Sequence, residues 1–442
     1  MRAPAKRLPW ETGVGSSNLP PSAILNMPCY YIWTMGCQMN KAESDRLAVL
    51  LDSSGYQQVS SPAEADLVVL NSCVVRQHAE DRFINRLYLL ESLKKIRPAL
   101  RIVVTGCFVG PKGDHLKERF PYVDDFLAPG EIPCWLSNHS LDFSLPKPKV
   151  CALVPIIQGC NNFCSYCIVP YRRGREKSRP LEDIILEVRR LVAGDTKEVT
   201  ILGQNIGSYG HDLPGSPDLA TLLEKLNQIE GLARIRFLTN HPRDMSPRLL
   251  RSMSGLEKVC EEISLPVQSG DDDILKSMRR DYTVDYYRAV ISELRCLIPG
   301  VAISTDVIVG FPGESEAAFE GTLQLLRDME FDTVHVAAYS TRPGTIASRE
   351  YKDDISLDEK KKRLRAVEGL EREIATRKNA ELLGTEVEIL IEDNIDGHWM
   401  GRTRTGKKVF FEGQGDLLGS MVICRIDKTS PWSLHGILIS SK

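Results

Sequence analysis

The sequence predicts a multidomain α/β protein that ends in a small antiparallel β-barrel. Three observations lead there. Between residues 29 and 135, three short apolar runs alternate with three amphipathic stretches. From 151 to 338 the same alternation runs through six units. After Gly384 it stops, and β-rich pieces separated by glycines take over. Strands alternating with helices form parallel sheets through right-handed crossovers. Short strands broken by Gly form small barrels.

The elements follow in order. Residues 1–26 are rich in Pro, Gly and Ser, with Arg2, Lys6 and Arg7 but no apolar run after them. They are expected to be a disordered extension rather than a secretory signal, with Met27 as an alternative start. In the first domain (27–140), strands are expected at 30–34, 66–71 and 101–105, and helices at 41–53, 79–95 and 114–120. Residues 137–149 lack any period and read as a linker. The second domain (146–376) has expected strands at 152–157, 198–202, 234–239, 262–266, 302–309 and 333–338. Its expected helices are 181–193, 219–229, 247–253, 284–297 and 316–329. Six such units predict a partial or complete (β/α)6 barrel, with chemistry at the carboxyl ends of its strands. Residues 357–379 carry Lys360, Lys361, Lys362, Arg363 and Arg365 at helical spacing and read as a solvated connecting helix. The third domain (379–442) has expected strands at 387–392, 409–412, 421–428 and 436–439, an OB-like barrel.

Composition narrows the function. At 442 residues and 42% hydrophobic, the chain can bury real cores. Lys+Arg is 56 and Asp+Glu 59, so a globally basic nucleic-acid coat is excluded, though local basic strips are not. No apolar run reaches the roughly 18 residues of a membrane span. Twelve cysteines are too few for a disulfide scaffold in a chain this long, and many for a reducing compartment unless some hold metal. The expectation is a cytoplasmic protein without a membrane partner.

Cys160, Cys164 and Cys167 form a C-x3-C-x2-C triad just after the first strand of the second domain. Three thiolates on one loop can hold three irons of a [4Fe–4S] cube and leave the fourth open. A cube held wholly by protein needs four cysteines, and a structural zinc needs four closed ligands. The missing ligand suggests that something else binds the open iron. A second set is spread along the first domain: Cys37, Cys73 and Cys107 each follow one of its three strands. Ends of adjacent strands lie about 5 Å apart, so these three can converge despite their distance in sequence. Gly36 and Gly106 allow the backbone to turn closely there.

The triad, with Tyr166 before its last cysteine, resembles the radical S-adenosylmethionine (SAM) superfamily. That resemblance implies that SAM chelates the open iron and is cleaved to a 5′-deoxyadenosyl radical. Two three-cysteine sets and a terminal barrel together resemble the methylthiotransferase family, over residues 30–439. The segments Gly36-Cys37-Gln38-Met39-Asn40, Asn71-Ser72-Cys73 with Val75-Arg76, and Pro170-Tyr171-Arg172-Arg173-Gly174-Arg175-Glu176 are similar to the branch that modifies isopentenyladenosine in tRNA. Met35 and Ser72 stand where that branch often has Trp and Thr. The family's terminal domain, the TRAM domain, is a tRNA-binding barrel.

The resemblance implies two 4Fe–4S clusters, a radical SAM cluster on Cys160, Cys164 and Cys167 and an auxiliary one on Cys37, Cys73 and Cys107. It implies methylthiolation of isopentenyladenosine at tRNA position 37, with two SAM per product, one as methyl donor and one as radical source. The implied partners are the tRNA anticodon stem-loop, a sulfur donor, and a low-potential electron donor, flavodoxin-like or ferredoxin-like. The enzyme is expected to be a monomer. Tyr166 in the triad loop, Gln204, Asn205 and Gln268 at strand ends, and Ser304 and Asp306 within the fifth strand are expected SAM contacts. Arg172, Arg173 and Arg175 past the cluster loop, and Arg402, Arg404, Lys407 and Lys408 on a terminal hairpin with Trp399 nearby, are expected RNA contacts. Two sister substrates stay open, threonylcarbamoyl-adenosine in tRNA and a ribosomal-protein aspartate. So does a non-catalytic RNA-binding iron–sulfur protein.

Overall fold

The computed structural model describes residues 27–74, 77–110, 114–136 and 149–441. The expected extension at 1–26, most of the 137–149 linker and the Val75-Arg76 pair lie outside the described residues.

The first domain runs β1 (Cys29–Met35), α1 (Gln38–Ser53), β2 (Gln57–Gln58), β3 (Leu67–Ser72), α2 (Gln77–Ile96), β4 (Arg101–Gly106), α3 (Asp114–Arg119) and β5 (Asp125–Phe126). Its sheet is parallel throughout, in the order β2-β1-β3-β4-β5. The β3 segment, Leu-Val-Val-Leu-Asn-Ser, is buried along its whole length, as a central strand covered on both faces must be. Met35 pairs with Ser72, and Ser72 with Gly106, so β1, β3 and β4 end level.

The second domain begins with β6 (Cys151–Pro155), β7 (Ile157–Gln158), α4 (Val169–Arg173), β8 (Lys177–Ser178), α5 (Leu181–Ala193), β9 (Glu198–Leu202) and α6 (Leu219–Asn227). It continues with β10 (Arg234–Phe237), α7 (Pro247–Gly255), β11 (Glu262–Ser264), α8 (Asp272–Ser277), α9 (Val284–Leu297), β12 (Ala302–Val309), α10 (Glu316–Met329), β13 (Thr333–Ala338) and α11 (Ile346–Glu350). Six parallel strands form two sheets, β6-β9-β10 and β11-β12-β13, joined by a single bridge between Ile235 and Val259. This is a partial barrel, open between β6 and β13 among the described residues. The expected strand 152–157 breaks at Ile156, because β7 leaves the barrel to pair antiparallel with β8.

Helix α12 (Leu357–Ala380) connects to the third domain. It is less solvated than its charges suggest. Val367, Ile374 and Ala375 are buried, and Lys360 and Arg363 turn inward to Asp353 and Glu314. The third domain is a closed barrel, β14 (Glu386–Ile395), β15 (His398–Thr403), β16 (Lys408–Phe411), β17 (Met421–Thr429) and β18 (Leu434–Ser441), in the order β14-β15-β16-β18-β17. The sequence reading lacked β15, whose alternating pattern is blunted by Gly401. There a Cβ would strike the Leu390 carbonyl at 2.4 Å.

Two seams join the domains. Met39 and Ala42 of α1 bury against Leu202 at the carboxyl end of β9, so the first domain sits on the barrel mouth. At the opposite end, Arg234 and Arg236 reach from β10 to the third domain. Arg234 donates to the carbonyls of Arg402 and Glu388, Arg236 to those of Thr403 and Arg404.

Candidate active site

The level strand ends place Cys37, Cys73 and Cys107 side by side. Cys73 N–H donates to Met35 O and Cys107 N–H to Ser72 O, each at 2.8 Å, extending the ladder one residue past the strands. Gly36 has φ +147°, and a Cβ there would lie 2.5 Å from Cys73 Cβ, so only glycine lets these two loops touch. Asn40, in the first turn of α1, ties the Cys37 and Cys73 turns together. Its Nδ2 donates to Asn71 Oδ1 (2.7 Å) and Ser72 O (3.0 Å), Asn71 Nδ2 donates back to Asn40 O (2.8 Å), and Cys37 Sγ donates to Asn40 Oδ1 (3.3 Å). Cys73 and Cys107 are buried, while Cys37 is exposed. Burial pushes the Cys107 thiol up to about 11, Arg173 opposes the rise, and Cys73 and Cys37 add to it.

The Cys160, Cys164 and Cys167 loop follows β6 and β7 at the barrel mouth. Burial raises Cys160 to about 11 and Cys167 to about 12, and each also rises because Cys164 is near. Gly159 enters the loop at φ +81°, where a Cβ would meet the Arg175 carbonyl at 2.1 Å. In each set the thiols lie near enough to raise one another, and among the described residues no fourth cysteine adds to that rise. Such a donor set fits a cationic iron–sulfur group with one position left to another ligand.

Arginines reach both sets. Arg280, fully inside the barrel, donates from Nη1 to Cys164 Sγ (3.4 Å), from Nη2 to Pro266 O (2.8 Å) and from Nε to Tyr282 Oη (2.9 Å). Arg173, the last residue of α4, crosses to the first domain. Its Nε donates to Cys107 Sγ (3.1 Å), and Nη1 and Nη2 donate to Glu43 Oε1 (2.5 Å) and Oε2 (3.3 Å). Burial alone would lower its guanidinium, but Cys107 and Glu43 outweigh burial and hold it above the ordinary arginine value.

The expected SAM contacts surround the mouth. Gln204 Oε1 accepts from Gly159 N–H (2.6 Å), so that oxygen braces the cysteine loop. Gln268 has φ +74° and is buried, and its backbone bridges to β12 through Asp306 O and Ile308 N–H. Ser304 and Asp306 are half-buried on one face of β12. Tyr166 packs with Phe311 and Tyr339, and burial raises its phenol well above the usual value. Two buried amide oxygens at the mouth, Asn205 Oδ1 and Asn240 Oδ1, have no donor among the described residues.

The expected RNA contacts divide. Arg173 is a correction: it is buried between Cys107 and Glu43. Arg402 forks onto Glu392, Arg404 onto Glu261 with the Val259 and Glu257 carbonyls, and Lys407 reaches Asp332 and Asn379. These three are bound into the protein itself, which takes their charges off a free surface track. Trp399 is buried, with Nε1 on Gly413 O, so its face is not offered to a base. Arg172 is half-buried near Gly110, whereas Arg175, over the Phe163 ring at 4.3 Å, and Lys408 are exposed.

Another potential ligand group, Cys151, Glu198 and Glu392, lies at the far end of β6 and β9. Glu198 already carries Arg236, and Glu392 carries Arg402, so the group is an ionic seam between barrels. The sequence reading missed Arg280, Glu43 and Asn240. Asn205 was legible, beside Gln204 at a predicted strand end.

Residues 29–128 match Uncharacterized protein family UPF0004, residues 154–326 the Radical SAM superfamily, and residues 380–439 the TRAM domain. The chain is 51% identical over 415 residues to a tRNA-2-methylthio-N(6)-dimethylallyladenosine synthase of Dehalococcoides mccartyi, spanning 94% of this chain and 99% of that one. It is 46% identical over 430 residues to the synthase of the same name from Herpetosiphon aurantiacus, spanning 93% and 97%. Among solved structures it resembles the radical S-adenosylmethionine methyltransferase TsrM of Kitasatospora setae. The TM-score is 0.54 at 12% identity, over 73% of this chain and 77% of that one, a likeness of fold alone.

Proposed function

We propose a division of labour between the two cysteine sets in a chain that belongs to the tRNA-2-methylthio-N(6)-dimethylallyladenosine synthase family. The chain is a radical SAM tRNA methylthiotransferase acting on isopentenyladenosine. The relatives' name selects this substrate over the two sister substrates, and an enzyme over a non-catalytic RNA-binding protein. On our reading the target is position 37, beside the anticodon.

Cys160, Cys164 and Cys167 would hold the radical SAM cluster, and Cys37, Cys73 and Cys107 an auxiliary cluster. When bound, these groups supply a deoxyadenosyl radical from SAM at the first set and sulfur at the second, while another SAM supplies the methyl group. The chain's own residues arrange the meeting. Gln204 fixes the entry of the triad loop, and Asn40 fixes the Cys37 and Cys73 turns of the other set. Asn205 Oδ1 and Asn240 Oδ1 offer acceptors for the ammonium or ribose hydroxyls of SAM, and Ser304 and Asp306 line the same mouth. Tyr166, Phe311 and Tyr339 supply an apolar wall that keeps water off a reactive radical. The base must leave its stack to enter, at a cost of a few kcal/mol that is least in a loop. Exposed Arg175 and Lys408 are available to the RNA backbone.

The observation that carries this reading is the seam at Arg173. It puts the helix after one cysteine set in direct contact with a sulfur of the other. Nucleoside mass spectrometry of tRNA from a deletion strain should show isopentenyladenosine without its methylthio group. Under anaerobic reconstitution, C164A should abolish 5′-deoxyadenosine formation. C73A should keep it and lose the methylthio product. Full product from C73A would remove the sulfur role from that set.

A further inference from the structure

Arg173 stands six residues after Cys167, and its side chain is 2% exposed. The guanidinium has its two terminal nitrogens forked onto Glu43, which orients the plane and leaves Nε–H directed at Cys107 Sγ. Glu43 lies on α1, the helix that begins directly after Cys37. One side chain on the barrel therefore grips both the helix behind Cys37 and the sulfur of Cys107.

We infer that Arg173 is a positioning residue for the reaction, holding the Cys37, Cys73 and Cys107 set against the barrel mouth and setting the reduction potential of the cluster bound there. This rests on the reading that the set holds a cluster. Reduction adds negative charge to a cluster and its thiolates. An N–H donor on a ligand sulfur stabilises that charge and raises the potential. The Glu43 carboxylate, close behind, acts in the opposite sense.

The two partners make predictions of opposite sign. Arg173→Gln removes the cation and its Nε donor, so the midpoint potential should move negative. Glu43→Gln keeps the guanidinium and removes a nearby anion, so the midpoint should move positive. A merely mechanical role would shift both the same way, because both loosen one seam. The experiment uses the full chain with Cys160, Cys164 and Cys167 replaced by Ala, reconstituted anaerobically with iron and sulfide. Iron is counted, and the remaining cluster is titrated by dithionite with electron paramagnetic resonance detection. About four irons in this parent support the premise, and none overturns the premise and the inference together. With iron present, opposite shifts support the role of Arg173. Unchanged midpoints, or shifts of one sign, overturn it while the cluster reading stands. If R173Q fails to retain iron, Arg173→Lys is titrated instead. It keeps the charge but cannot both fork onto Glu43 and reach Cys107. It too should shift negative, and an unchanged R173K midpoint refutes the donor role.

Discussion

Gly36→Ala tests whether the auxiliary cysteine set depends on close backbone contact. Gly36 adopts φ +147°, and a Cβ there would lie 2.5 Å from Cys73 Cβ and 2.7 Å from Asn40 Oδ1. Ordinary contacts begin near 3.5 Å, so one loop must retreat by about 1 Å. A non-glycine residue in such a conformation costs about 1–3 kcal/mol, and overpacking adds a further 1–3 kcal/mol or so. Together that is about 2–6 kcal/mol, concentrated where Cys37, Cys73 and Asn40 meet. Gly55→Ala is the matched control. Gly55 has φ +83° in the same domain, with nothing within 4 Å of a Cβ, so its variant bears the conformational cost alone. The measurements are thermal unfolding and iron content after reconstitution, in the background that lacks the barrel triad. G36A should lose more stability than G55A and should also lose iron. Equal losses of stability with full iron in G36A would refute the argument that contact between the loops shapes the site.

Three further outcomes follow from buried charge. Arg236→Met strands the fully buried Glu198, whose Oε1 accepts from Arg236 at 2.9 Å. It should cost about 3–5 kcal/mol in denaturant titration, and R236M with Glu198→Leu should recover part of that. Arg404→Ala removes the fork onto Glu261 and two carbonyl bonds between the barrels. Limited proteolysis should then cut the third domain free faster, with the barrel core left intact. His241 is buried, and desolvation, with Arg280 and Arg243, lowers it to about 2 from an unfolded value of 6.5. It is neutral in the folded state, so unfolding takes up a proton below pH 6.5, and stability falls as pH falls. Between pH 6.5 and 5 the loss is about 1.7 kcal/mol, the slope rising toward 1.36 kcal/mol per pH unit as the unfolded histidine fills with protons. His241→Asn should flatten that part of the pH–stability curve, and an unchanged slope would show that His241 does not titrate on unfolding.

The cysteine positions were legible because they obey local rules. A C-x3-C-x2-C run is visible as spacing, and Cys37, Cys73 and Cys107 each follow a run that reads as a strand. The parallel β/α architecture then does the rest, since pairing makes neighbouring strands end level. The basic runs were misread for a physical reason. Arg172, Arg173 and Arg175 look alike in sequence, and α4 is only five residues long, too short for a period to reveal which side chain turns inward. Arg402, Arg404 and Lys407 were likewise assigned to RNA, because their acidic partners stand on other elements, up to 143 residues away.

By itself, then, the sequence determined the order of the domains, the alternation that builds the first domain's parallel sheet and the second domain's partial barrel, and both cysteine sets. These follow from hydrophobic period and from residue spacing along one chain. Only the tertiary structure decided which charges stay exposed and which bind the protein to itself, and that Arg173 joins the two sets. Those facts depend on contacts between elements far apart in sequence, where burial leaves a charge only the partners the fold brings to it.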